Sequence, residues 1–266
     1  MIFFSNLKYS TTIWFIVMLV GQWIFAAYVA IYHGYKILAS GMGSMGGKHM
    51  PNGYIDGDFT GNVILASHLI IPIFVIVAGP LQLIPKIQRD YRRFHKWIGR
   101  IYLPLIFILS LGGVYLTWSR PRPSFGSIYQ DIAITIEGIL IVFFAIQTLR
   151  FALQRKIKPH RQWALRLFIV ASGVWFLRIG YRTWFFIEDL FGFQVDNFFD
   201  YWSFASYLIP LAILEFYLQV KKGKNHKSEK RLSILLFAVT LYMMIGIFLA
   251  AKGMWLPRVL SVVNTE

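Results

Sequence analysis

The 266-residue sequence contains no cysteine, which removes disulfides, thiolate metal sites and cysteine nucleophiles together. Acidic residues are scarce, 12 against 27 lysines and arginines, and charges of both signs make up only 15% of the chain. A soluble domain carries about a quarter of its residues as charges, so a soluble fold is excluded. Histidine is rare, at six. No stretch has the Gly-x-x-x-x-Gly-Lys-Ser/Thr pattern of a nucleotide-binding loop, which leaves out ATP-driven work. The net charge of +15 would suit nucleic acid in a soluble protein. In a membrane chain basic residues report topology first, and no nucleic-acid partner is expected.

Hydrocarbon is what the chain has in quantity. Apolar residues are 57% of it, and the mean hydropathy is +0.56. Apolar runs fall at 12–32, 60–84, 96–118, 127–148, 162–186, 203–220 and 232–252. Each is about twenty residues long, enough to cross a bilayer as a helix. The first is too long for a signal-peptide core and lacks a small-residue cleavage site, so it reads as a retained span. The pattern predicts an all-α polytopic membrane bundle of seven transmembrane helices. It reads as one membrane domain over 1–266, with a core at about 60–186 and three flanking helices.

Basic residues cluster at 85–95, 149–161 and 221–231, whereas 187–202 holds four acids and no lysine or arginine. Arg120 and Arg122 in the short 119–126 loop are outnumbered. The alternation predicts a cytoplasmic amino terminus and a carboxyl terminus outside. Membrane lipids are the expected surroundings, and a bacterial inner membrane the expected location.

Two segments repeat a theme. "RRFHKWIGRIYL" (92–103) and "KPHRQWALRLF" (158–168) each pass from cations to hydrocarbon through a histidine, His95 or His160, and a tryptophan. Arg100 and Arg166 follow just over one helical turn deeper. Parallel duplication of a two-helix unit would make His95 and His160 face one another. The bland readings are that the arginines snorkel and the histidines bind lipid phosphate. A second layer of polar residues comprises His68, Gln82, Asp131, Glu137 and Arg178, with Arg182 close by. A charge in hydrocarbon is costly, so these should face inward, with Glu137 paired to Arg178 and His68 near either. The loop at 33–59 adds Met42, Met45, His49 and Met50 between His33 and His68. That set suits Cu(I), or is a flexible loop with incidental methionines.

The stretch "SHLIIPIFVIVAGPLQLIPKIQRDYRRFHKWIGRIYLP" (67–104), followed by "HRQWALR" (160–166), resembles a bacterial family of predicted membrane proteins of unknown function. Its positions fall on His68, Gly79, Pro80, Gln82, His95, Trp97, Gly99, Arg100, Tyr102, His160, Arg161, Trp163 and Arg166. Lys96 and Ala164 depart from that pattern. "HKWIG" is more distantly similar to membrane di-haem cytochromes b. That likeness implies haem b between His95 and His160, propionates on Arg100 and Arg166, and electron exchange with quinone. The fourth span has no histidine to partner His68 in a second haem.

Three function classes remain open. One is haem-based electron transfer with quinone. Another is intramembrane binding or transport of an anionic lipid or metabolite without cofactor. The third is a metal-dependent hydrolase using His68, His95 and His160, which the expected depth of His68 opposes.

Overall fold

The computed structural model describes residues 6–46, 53–121, 126–223 and 225–264, and among these there is no strand. Helices are what a bilayer permits, because each satisfies its own backbone donors and acceptors without water. Asn6 caps α1 (Leu7–Val29) by accepting from the Lys8 N–H. A π-turn at Ala30–Gly34 carries α1 into α2 (Tyr35–Ser40), making one rod from Leu7 to Ser40. Asp58 caps α3 (Phe59–Leu83), and the short α4 (Pro85–Asp90) leads into α5 (Arg92–Ser119). Ser127 caps α6 (Ile128–Leu153), which is followed by α7 (Ile157–Ala171) and α8 (Gly173–Phe191). The last long helices are α9 (Phe198–Gly223) and α10 (His226–Ala250), the latter capped by Asn225. A second π-turn joins α10 to α11 (Leu256–Val263).

Six of these rods are long and apolar enough to cross a membrane. The seventh crossing is the pair α7 and α8, bent by 44°. The expected continuous span at 162–186 is therefore two helices broken at Ser172. At the break the Ser172 N–H is shared between the Phe168 and Ile169 carbonyls, at 3.1 and 3.2 Å, its hydroxyl donates to Phe168, and Gly173 follows. Helix α3 matches its predicted limits to one residue and α6 runs past its predicted end, whereas the first, third and last two rods exceed theirs at both ends, and α5 begins at Arg92 instead of 96, which takes His95 into its first turn.

Successive helices α3, α5, α6 and α7 pack on one another, α1 packs on α10 and α3, and α8 lies against α9 and α10. One core gathers Tyr102, Ile106, Phe144, Val170 and Tyr207. Another gathers Met18, Phe25, Trp175, Ile179, Met243 and Trp255, so α1 and α10 share a core with α8. Lipid tails give helices little reason to associate, so close approach through small residues matters. Gly180 is such a point. A Cβ there would collide with the Trp202 ring, and the indole is held by its N–H bond to the Leu177 carbonyl at 3.1 Å. Gly180→Val should cost about 1–3 kcal/mol by overpacking. Thermal unfolding in mild detergent would read this as a lower melting temperature, and an unchanged one would mean that Trp202 yields freely.

Candidate functional site

His95 and His160 are each the fourth residue of their helices, α5 and α7, with backbone N–H groups on Tyr91 and Lys156. The imidazoles stand within reach of each other's charge. His160 Nδ1 lies 3.0 Å from the Thr148 carbonyl. A carbonyl only accepts, so Nδ1 carries the proton and Nε2 keeps its lone pair. His95 Nδ1 is buried with no hydrogen-bond partner, and so is Gln82 Nε2. The Gln82 carbonyl oxygen lies beside Gly99, one turn beyond His95. Gln82 thus belongs with the histidine pair and not with the deeper cluster assigned to it from sequence. The reason is the length of α3: fourteen residues, about 21 Å at the helical rise, separate it from His68. The same length parts His68 from His95 and rules out a three-histidine metal site. Among the described residues no three His, Asp or Glu side chains converge on a metal position.

Of the two arginines expected beside the histidines, Arg166 is engaged elsewhere. It donates twice to Glu215, at 2.6 and 2.8 Å, and its guanidinium stacks 4.6 Å from the Trp163 ring. Arg100 is exposed and lies over Trp97 at 5.5 Å. Glu215 was missed in the sequence, although a lone acid within "IPLAILEFYLQV" was the signal for it.

The deeper cluster lies elsewhere in the bundle. His68, Glu137 and Tyr207 are each the tenth residue of α3, α6 and α9, which run in the same direction. Each stands about 13 Å along its helix. Glu137 presses its carboxylate against Gly173, the first residue after the break in the fifth crossing, where a Cβ would collide with it. Gln22 Nε2 donates to Ser172 Oγ at 2.8 Å, while Gln22 Oε1 and the Tyr207 hydroxyl are buried without partners. Glu137 and Arg178 feel each other's charge but form no ion pair. The ion pairs among the described residues are Arg89–Asp90, Arg120–Asp58 and Arg166–Glu215. The expected Glu137–Arg178 contact is therefore absent. Arg178 instead donates to the Val174 carbonyl at 3.1 Å, its guanidinium 5.2 Å from the Phe25 ring.

One more guanidinium approaches Arg178, and another follows it on the same helix. Arg258 donates to the Tyr28 hydroxyl at 3.1 Å and stands within repelling range of Arg178. Arg182 follows Arg178 by one turn, its Nε buried and unpartnered and its tip against Gly253. His33 lies within reach of Arg178, Arg258 and Lys36. Arg258 had no role in the sequence reading because the last span was ended at 252, whereas the rod continues to Val263.

Asp131 is fully buried in the first turn of α6, a favourable place for a carboxylate, six residues before Glu137. Arg120, read as a loop residue, is buried as well. It lies 3.5 Å from Asp58 Oδ2 and donates to Asn62 at 3.1 Å. Met45 is buried in the turn packed on α3, whereas His49 and Met50 of the suggested copper set lie outside the described residues.

No curated protein and no solved structure matches the chain. A family of membrane proteins does. Residues 65–218, more than half of the chain and reaching from α3 into α9, match the family described as Predicted membrane protein (DUF2306), and the protein belongs to it.

Proposed function

We propose that the protein binds an anionic lipid or metabolite inside the bilayer and moves it toward one face. The observation that carries this is the approach of Arg178 and Arg258 with no carboxylate, among the described residues, in contact with either. Like charges repel strongly away from water, and a bound anion relieves the repulsion. The broken crossing supports the same reading, since interrupted helices commonly build mid-bilayer sites in transporters. Glu137, beside the break, serves as the gate or proton carrier. The His95–His160 end, ringed by basic loops, is the mouth that attracts the anion.

That mouth faces the cytoplasm if the basic loops obey the positive-inside rule. Because native cysteine is absent, Lys222→Cys and Gln194→Cys report sidedness without background. A membrane-impermeant maleimide added outside should label the second and not the first, and the reverse pattern would invert the direction.

The functional test is thermal unfolding in neutral detergent with sodium laurate, sodium butyrate, sodium phosphate or sodium chloride. One of the first three should stabilise the wild type beyond chloride, and the double variant Arg178→Gln/Arg258→Gln should lose that gain. Equal curves in all four salts would sink the proposal. A second reading, electron transfer through haem b with quinone, is favoured by the free Nε2 of His160. Bound haem would supply one-electron chemistry at that end. A Soret band lost in both His95→Ala and His160→Ala would put this reading first.

A further inference from the structure

A groove of about 370 Å³ runs between α3 and α5, lined by Ile64, Ser67, His68, Leu109, Gly112 and Tyr115. Its rim carries Ile108 and Leu111, 52% and 62% exposed, so it opens sideways toward lipid. The volume equals about a dozen waters of liquid, room for part of one chain and not for a two-chain phospholipid. It lies at the lower end of ordinary ligand pockets.

His68 forms the floor. Its Nδ1 is buried and has no hydrogen-bond partner. The Leu109 carbonyl lies within reach of the ring, and with Nδ1 unpartnered the nitrogen left to serve it is Nε2. An imidazole that donates through Nε2 offers Nδ1 as an acceptor, which calls for a ligand O–H. Glycine makes this seat possible, because a Cβ at Gly113 would stand 3.0 Å from His68 Cε1. Beyond the ring, Arg178 is near enough for its charge to act on His68. The histidine therefore divides a lipid-facing groove from the cationic centre.

We infer that this groove admits a long-chain carboxylic acid from the bilayer. The tail lies along Ile64, Leu109 and Tyr115, and the acid O–H donates to His68 Nδ1. As that proton is drawn toward Nδ1, negative charge builds on the carboxyl group and the positive potential of Arg178 stabilises it, which sets the acid above an alcohol of equal length, while an ester has no O–H to give. This deepens the anion-binding reading by naming the ligand class and its way in, and it rests on that reading only where Arg178 takes part.

The test is photolabelling of the full chain in nanodiscs with a diazirine-bearing laurate, mapped by peptide mass spectrometry. Saturable labelling is expected on 64–68 and 108–115, displaced by laurate and at least tenfold less by methyl laurate. His68→Phe keeps the ring volume and removes the acceptor. Leu111→Trp crowds the rim from the lipid side, where folding is not at stake. Both should cut labelling about tenfold while leaving the melting temperature unchanged. Labelling that does not saturate, or that methyl laurate displaces equally, would be ordinary lipid contact and would overturn the inference. If butyrate or phosphate stabilises the protein through Arg178 and Arg258 while the groove variants still bind laurate, the groove fails and the central anion site stands. If the groove labels as expected and the double arginine variant responds to every anion as the wild type does, the acid site stands and the central site falls.

Discussion

Glu215→Gln is expected to destabilise the protein more than any other single charge removal. Arg166 and Glu215 form a two-pronged pair on α7 and α9, with Glu215 eight residues, about 12 Å, before the end of its helix. Breaking a buried pair by removing one partner leaves the other charge unsatisfied, which typically costs about 3–5 kcal/mol. The Glu215 side chain is 39% exposed, so about 2–3 kcal/mol is the better expectation. A change of that size lowers the melting temperature by roughly 5–10 °C in a chain of this length. Replacing both by leucine should recover most of the loss, because two desolvated charges then disappear together. If Glu215→Gln melts like the wild type, Arg166 is reaching water at the basic end by snorkelling, and its carboxylate partner matters little.

The number and placement of the crossings were legible in the sequence because hydropathy acts locally, residue by residue. The break at Ser172 was not. Its neighbours are as apolar as any in the chain, and the groups that meet it, Gln22 on the Ser172 hydroxyl and Glu137 against Gly173, come from distant parts of the sequence. That His95 and His160 open two helices was legible as well, since each follows a cluster of cations at the start of an apolar run. Pairing across the bundle could not be read that way. Arg178 was matched to Glu137 because both lay in the same layer, yet side chains at one depth can point at different neighbours. Arg178 bonds within its own helix, and Glu137 faces the break. Gln82 was placed too deep for a different reason: its motif neighbours on the chain include His68, but fourteen helical residues are a distance, not a contact. Arg120 enters the sequence pattern only as a loop charge against the alternation, whereas its side chain folds back onto Asp58 and Asn62.

Removing the two charges of the central cluster should move stability in opposite directions. An ion pair would behave otherwise, each single change lowering the melting temperature. Here Arg178 has Glu137 on one side and Arg258 on the other, without contact to either, so attraction and repulsion largely offset. What is left is the cost of keeping a guanidinium away from water. Arg178→Gln in the anion-free protein should therefore raise the melting temperature by a few degrees, about 1 kcal/mol of relief. Among the described residues Glu137 is the one carboxylate whose charge reaches Arg178, so Glu137→Gln leaves the arginines to repel one another unopposed. Two unit charges interact by about 4 kcal/mol at 4 Å in a protein-like dielectric and by about half of that at twice the separation. A loss of about 2 kcal/mol, roughly 4–8 °C, is the expected cost. Added anion should then rescue Glu137→Gln more than it stabilises the wild type, because it supplies the charge that the substitution took away. Should both variants melt lower and neither respond to anion, the cluster is a structural lock between α6 and α8 and binds nothing.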